Sequence, residues 1–386
     1  MKSIISKKVQ QMQPSGIRVF FDLVLGMPDV ISLGVGEPDF VTPWSIREAG
    51  IYSLEQGYTS YTSNKGLYRL RLEISRYLKK KYGLIYDAES QILITVGVSE
   101  AKDLALRSLL NPGDKVIVTD PAYVSYAPLV SLAGGLPISI VTTMKDKFKI
   151  NPGKLDKLCH EQRPKIIILN YPSNPTGASY RKKELQALAR VILKHKLIVI
   201  SDEIYGDLTY DFQHSPFPTL EGTKKNTIYL NGFSKSYAMT GWRVGYACGS
   251  ADIISAMTKI HQYTIMCVSI TSQMAACEAL VDGQKSVEEM KKEYIRRREF
   301  VYEGLNKMGL KCTKPDGAFY AFPSIKSTKL SSIKFASRLL KEKKVAVVPG
   351  TAFGASGEGY IRISYASNLD DLKEAFGRIE CFVKKL

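Results

Sequence analysis

Several things are scarce in this sequence, and each scarcity removes a class of function. Histidine occurs only four times in 386 residues, at 160, 195, 214 and 261, and no two stand at metal-ligand spacing. Zinc chemistry is therefore disfavoured, and each histidine reads as a surface or internally bonded one. Cysteine occurs six times, at 159, 248, 267, 277, 312 and 381, with no CxxC and no short even spacing. In so long a chain this reads as reduced, mostly buried thiols and not as a disulfide framework. There is no GxxxxGK[ST], no HExxH and no GxSxG; Gly354–Gly359 (GASGEG) has the wrong order for a dinucleotide loop. Nucleotide hydrolysis loses its usual signature. No apolar run approaches the ~20 residues of a membrane helix, and Met1–Lys8 lacks the apolar stretch of a signal peptide. The protein is expected to be soluble and cytoplasmic, with no membrane partner. Internal repeats and low-complexity linkers are missing too.

Acidic residues are also short, 37 against 54 basic ones, a net charge of +17. Such a balance suggests a polyanionic partner or steering of acidic substrates. The charges are scattered, however. Lys79–Lys81, Arg296–Arg298 and Lys343–Lys344 alternate with acidic and apolar residues, so a solvated basic surface is the simpler reading and nucleic acid is not expected as a partner.

What is present is a rhythm of β-branched runs: Gln91–Gly97, Asp114–Asp120, Leu136–Thr143, Pro164–Asn170, Lys196–Asp202, Thr227–Ser234 and Arg243–Gly249. Stretches with helical spacing lie between most of them, such as Ser99–Leu110 and Lys182–Lys194. Continuous apolar strands alternating with helices predict an α/β fold, a mostly parallel seven-stranded sheet between helices. The flanks read differently: a polar arm leads to Gly34-Val35-Gly36-Glu37-Pro38-Asp39, and a long charged helix over Ser286–Met308 precedes short strand-like pieces. We expect a large domain over 46–285 and a smaller α+β domain built from 1–45 and 286–386.

Polar residues sit just where the strands end, which in open parallel sheets is where the ligand crevice lies. One strand runs into Asn174-Pro175-Thr176-Gly177, the next ends in Asp202-Glu203-Ile204-Tyr205, and another in Ser234-Lys235 with Arg243 close behind. Singly these residues are compatible with turn chemistry and helix capping. Together they bring an amide, a carboxylate, a phenol, a hydroxyl, a lysine and an arginine to one crevice. That set suits a carbonyl cofactor: a lysine for an imine, a buried carboxylate for a ring nitrogen, donors for a ring oxygen, and an arginine with a helix N-terminus for a phosphate. Val98-Ser99-Glu100 offers that helix start. All these parts belong to pyridoxal phosphate.

The segments Asn170–Tyr180 (NYPSNPTGASY), Ser201–Tyr210 (SDEIYGDLTY) and Asn231–Gly245 (NGFSKSYAMTGWRVG) resemble the signature of the fold-type-I pyridoxal-phosphate aminotransferases of the aspartate/aromatic group. The likeness runs from Gly34 through Tyr58–Arg71 and Asp120–Tyr126 to Ser364, and is similar to bacterial aromatic and N-acetyl-diaminopimelate aminotransferases. It implies pyridoxal 5′-phosphate as cofactor and the corresponding transferase fold. It implies that Lys235 carries the cofactor as an imine and moves the proton, that Asp202 pairs with the ring nitrogen, and that Tyr205 and Asn174 bind the ring oxygen. Tyr123 would stack on the ring. Val98 and Glu100 through their N–H groups, with Ser99, Ser234 and Arg243, would hold the phosphate. Tyr61 would reach the neighbouring subunit's phosphate in a homodimer, and Arg362 would clamp the substrate carboxylate with Asn174 and the Gly34 backbone. The implied reaction is ping-pong transfer of an α-amino group from an aromatic amino acid, aspartate or a similar one to a 2-oxo acid, 2-oxoglutarate being expected.

Two positions depart from the group's pattern. Val98 stands where glycine or alanine is common, and Glu100 where a neutral residue is common; Glu100 is expected to face solvent at the first helical turn. Within Ser15–Leu25, Ile17, Phe20 and Phe21 are candidates for an apolar substrate pocket or for core. A C–S β-lyase of the same fold would use the same residues and differ in products. A regulator with an appended DNA-binding module would need more chain than the arm before Gly34 provides.

Overall fold

The computed structural model describes residues 4–10, 12, 14, 16, 27 and 29–386; Ile17, Phe20 and Phe21 lie outside them. Among the described residues the strands are β1 (Ile31–Ser32), β2 (Ile92–Thr95), β3 (Lys115–Asp120), β4 (Leu136–Val141), β5 (Ile166–Asn170), β6 (Ile198–Asp202), β7 (Thr227–Gly232), β8 (Gly245–Cys248), β9 (Tyr320–Ala321), β10 (Val345–Ala346), β11 (Val348–Pro349) and β12 (Ile361–Ser364). The helices are α1 (Lys7–Gln10), α2 (Trp44–Glu55), α3 (Tyr68–Tyr82), α4 (Gly97–Leu109), α5 (Tyr126–Leu132), α6 (Pro152–Gln162), α7 (Lys182–Lys194), α8 (Ala251–Thr264), α9 (Ile270–Val281), α10 (Gln284–Lys307), α11 (Ser332–Lys343) and α12 (Leu369–Val383).

Seven strands form the expected sheet in the order β2-β8-β7-β6-β5-β3-β4. Only β8 runs against its neighbours, antiparallel to both β7 and β2. The chain turns back after β7 without a crossover helix, so residues 233–244 form a long return loop at the carboxyl end of the sheet, and that loop carries Ser234, Lys235 and Arg243. The apolar runs are continuous because both faces are covered. Ile166 and Ile168 face a core with Ala101, Leu104 and Ala105 of α4 and Ile254 and Met257 of α8. Ile167 and Leu169 face the other way, toward Leu155 of α6 and Leu185, Leu188 and Ile192 of α7. In α7 those leucines and isoleucine fall on one stripe of the 3.6-residue period. The helix α4 begins at Gly97, two residues earlier than the sequence pattern suggested.

The C-terminal part makes a three-stranded antiparallel sheet, β11-β12-β9, and β10 pairs in parallel with β1. The extended segment after β1 continues into that sheet: Leu33 N–H donates to Ala346, and Ser364 N–H donates to Leu33. No helix among the described residues is long and apolar enough to cross a membrane.

A buried carboxylate anchors the turn after β6. Glu203 has no exposed surface, accepts from Ser201 Oγ (2.6 Å), Tyr171 OH (3.1 Å) and Phe217 N–H (2.9 Å), and faces His214 Nε2 at 2.6 Å. His214 is thus an internally bonded histidine, as the sequence suggested. Removing the acceptor takes a hydrogen bond from four partners at once. Glu203→Leu is therefore expected to cost about 3 kcal/mol or more, read from urea unfolding, whereas exposed Glu221→Ala is expected to stay within about 0.5 kcal/mol.

Candidate active site

The site is assembled where strands stop. β5 ends in Asn170, whose side-chain amide donates to the Asp202 carbonyl at 3.0 Å and whose Oδ1 accepts from Asn174 N–H at 3.0 Å. One side chain thus ties two strand ends to the following turn. Asp202, at the end of β6, is 2% exposed, and its Oδ2 accepts from Tyr126 OH at 2.9 Å. Burial, and then the neighbouring Asp202 charge, push the Tyr126 phenol well up, so it keeps its proton and donates.

Lys235 lies on the return loop, with its Nζ donating to the Gly36 carbonyl at 2.6 Å and standing 5.9 Å from the Tyr205 ring centroid. Burial brings its pKa down to about 8; Arg362, Arg243 and Lys102 push the same way, and Glu37 opposes them. A lysine in that range supplies a substantial neutral fraction near neutral pH, which nucleophilic work requires. Tyr205 OH is 2.8 Å from Tyr320 OH, and burial raises its pKa first, with Tyr320 adding to it.

Arg362, in the middle of β12, is 1% exposed. Its Nη1 donates to Asn174 Oδ1 at 2.9 Å and its Nη2 to the Gly34 carbonyl. Its Nε has no hydrogen-bond partner, and its guanidinium sits 4.6 Å from the Tyr320 ring centroid and 4.9 Å from that of Phe353. Among the described residues no carboxylate lies within ion-pair distance of it. A buried cation with an orphaned donor and no counter-charge is a receptor for an anion.

A second anion site forms where α4 begins. The first N–H groups of a helix have no intrahelical acceptor, and here they belong to Gly97, Val98 and Ser99. Two glycines allow the approach. Gly97 has φ +67°, and a Cβ there would lie 2.8 Å from Arg243 Nη2. A Cβ on Gly245 would lie 2.8 Å from the backbone of Gly97 and Val98. Arg243 Nη1 donates to Thr240 at 2.9 Å, and the Val98 side chain packs into the main core.

These groups line one cavity of about 1220 Å³. Of the expected residues it gathers Val98, Ser99, Tyr123, Asn174, Asp202, Tyr205, Ser234, Lys235, Arg243 and Arg362, with the Gly34 carbonyl bonded to the last of these. Glu100 and Tyr61 are not on its wall. The Glu100 side chain does not face solvent as expected: Oε1 is 2.7 Å from Nδ1 of buried His261, and Oε2 accepts from Val96 N–H at 2.5 Å. The earlier start of α4 turns that carboxylate back onto the helix end. It also commits the Glu100 N–H to the helix's own first hydrogen bond, which leaves the amides of Gly97–Ser99 as the free ones at this helix end. Tyr61 is 81% exposed on the outer face.

The sequence reading assigned nothing to Lys102, Tyr126 or Tyr320, all of which line the cavity. Lys102 had a usable signal, a lysine one turn after Ser99 among Ala101, Leu104 and Ala105. Tyr126 stood inside a quoted motif without a role. Tyr320 comes from a different sheet, so no local spacing pointed to it.

A family model described as aminotransferase class I and II matches residues 28–379. The aspartate aminotransferase of Pyrococcus abyssi is 46% identical over 97% of each chain. The aromatic-amino-acid aminotransferase 2 of Thermococcus litoralis is 42% identical, covering 99% of this chain and 98% of its own. The crystal structure of an aromatic aminotransferase from Pyrococcus horikoshii superposes with a TM-score of 0.90 at 45% identity, covering 96% of this chain and 99% of that one. Sequence and fold agree over nearly the whole length, and this chain belongs to the class I and II aminotransferases, enzymes that transfer amino groups.

Proposed function

We propose that this enzyme uses pyridoxal 5′-phosphate to move the α-amino group of aspartate, an aromatic amino acid or a similar substrate to a 2-oxo acid, 2-oxoglutarate being the expected acceptor, in two ping-pong half-reactions. The observation that carries this reading is one cavity holding a lysine with its pKa near 8, a buried carboxylate and a buried arginine lacking a counter-ion. The residues fit the cofactor: the glycine-permitted approach of α4 to Arg243 suits a phosphate, and Asp202 suits a ring nitrogen.

In this reading Arg243, Ser234, Ser99 and the free amides of Gly97–Ser99 hold the phosphate. Tyr123 stacks on the ring, Asp202 pairs with its nitrogen, and Tyr205 and Asn174 bind its oxygen. When bound, pyridoxal phosphate supplies an electrophilic carbonyl and an electron-withdrawing ring that spreads the charge developing at the substrate α-carbon. Arg362 binds the substrate α-carboxylate, with Asn174 and Gly34 fixing the guanidinium plane. Lys235 Nζ would take the proton from the substrate α-carbon and deliver it, on the same face, to the former carbonyl carbon of the cofactor. The phenol of Tyr126, which keeps its proton, holds Asp202 through a hydrogen bond throughout.

The pairing of β1 with β10 supports one unit made of 1–45 with 286–386, beside a cofactor-binding unit of 46–285. Six unpaired cysteines support a cytoplasmic location. A homodimer is supported by an exposed apolar face. Tyr52 and Tyr61 stand 53% and 81% exposed, and Tyr263 and Met266 87% and 45%. Asn64 Nδ2 donates to Met266 at 2.8 Å and joins the two segments. Tyr61 would then serve the partner's phosphate.

Four outcomes are expected. Lys235→Ala should lose amino transfer by about a thousandfold and leave the absorbance of added pyridoxal phosphate that of the free aldehyde, with no shift to an imine band. In the wild type, uptake of the cofactor by ligand-free protein should rise about tenfold per pH unit toward about 8 and level off above it, because only the neutral amine reacts. Arg362→Lys should raise KM for the amino acid by about tenfold or more, since one ammonium cannot replace the planar fork. Sedimentation should give twice the 43.0 kDa chain mass, and Tyr263→Glu should shift the population toward monomer.

A further inference from the structure

Lys102 is a buried cation in the cavity for which amino transfer, as proposed, has no task. It lies on α4 one turn beyond Ser99, is 4% exposed, and follows Ala101 on the helix face packed against the sheet. Its Nζ stands 3.5 Å from Asp202 Oδ2 and 3.4 Å from Ser125 Oγ. The Tyr123 and Tyr126 ring centroids lie 4.6 Å and 4.9 Å away. Asp202 is its single carboxylate partner among the described residues. An ammonium is costly on a helix face that buries alanine and leucine, unless it is paired. Here the pair is made with the same oxygen that Tyr126 already holds at 2.9 Å. The other oxygen, Oδ1, has only the distant Ile204 N–H at 3.4 Å and is left for a further partner.

We infer that Lys102 is a positioning residue that acts through Asp202: with Tyr126 it clamps Oδ2, holds the carboxylate oriented toward the ring nitrogen, and adds positive charge to the lysine end of the site. This rests on the pyridoxal-phosphate reading above. Lys102 is faced by Asp202 from β6, Tyr126 from α5 and Tyr123 from the loop before it. At Lys235 its charge adds to those of Arg243 and Arg362 and opposes Glu37. Removing the Lys102 charge must therefore raise the proton affinity at the Lys235–cofactor linkage. A merely space-filling side chain would not have that effect.

The test is a pH titration of the visible absorbance band of pyridoxal-phosphate-loaded wild type, Lys102→Met, Lys102→Gln and Lys102→Arg, with kcat and KM measured alongside. Gln keeps polar reach without charge, so a failure of the Met variant to fold leaves the question decidable. The expected result is a band midpoint raised by about half a pH unit or more in Met and Gln, restored toward wild type in Arg, with kcat falling more than KM changes. Uncharged variants within about 0.2 unit of wild type, or an Arg variant displaced as far as Met, would overturn the assignment. A wild type with no visible band would sink the cofactor reading itself, a result distinct from an unmoved midpoint.

Discussion

Charge held away from water at one end of a parallel sheet is the constraint on which this structure depends. Asp202, Lys102 and Arg362 are each under 5% exposed, and Lys235 is largely withdrawn beside them. Desolvating such groups is expensive unless each is met by a partner of fixed geometry. Three of the four are met inside the chain: Asp202 by Tyr126 and Lys102, and Lys235 by the Gly36 carbonyl. Arg362 has neutral acceptors but no anion. The imbalance gives the cavity its chemical sense: a buried guanidinium without a counter-charge favours a ligand that carries a negative one.

The fold provides those partners through two devices. The first is the reversal at β8. A chain that returns directly beside β7 needs no crossover helix, so a short segment delivers Ser234, Lys235 and Arg243 to the carboxyl edge. Gly245 and Gly97 then let β8 and the start of α4 approach closely enough for free amides and Arg243 to converge. The second is the extended stretch after β1, which is tied by its backbone to β10 and β12. It brings the Gly34 and Gly36 carbonyls over the opening, where they meet Arg362 and Lys235. Beneath both, Glu203 and its four partners hold the turn that carries Asp202 and Tyr205, which keeps these charges in register with the sheet.

Much of this was legible in the sequence. Seven β-branched runs separated by helical stretches specify a covered parallel sheet, because a strand buried on both faces has no reason to alternate. Polar residues at the ends of those runs specify where the crevice lies. Lys235, Asp202, Asn174 and Tyr205 could be placed there because each ends its strand or follows it within a few residues, and Arg243 because it stands just before β8. Glu100 was misread for a local reason: a carboxylate near a helix start is usually solvated, and nothing nearby in sequence announced His261, which arrives from α8. Lys102 and Tyr126 were passed over because a lysine on a helix face or a tyrosine in a turn is ordinary by itself.

The sequence by itself therefore determined the order of strands and helices, the strand-end chemistry and the family, since these depend on neighbours within a few residues and on ordered motifs. Only the tertiary structure decided which charges share a partner. Lys102 meets Asp202 across 100 positions, Arg362 meets Asn174 across 188, and Tyr205 meets Tyr320 across 115. Such pairings are set by how helix, sheet and extended segment pack in space, and periodicity does not record them.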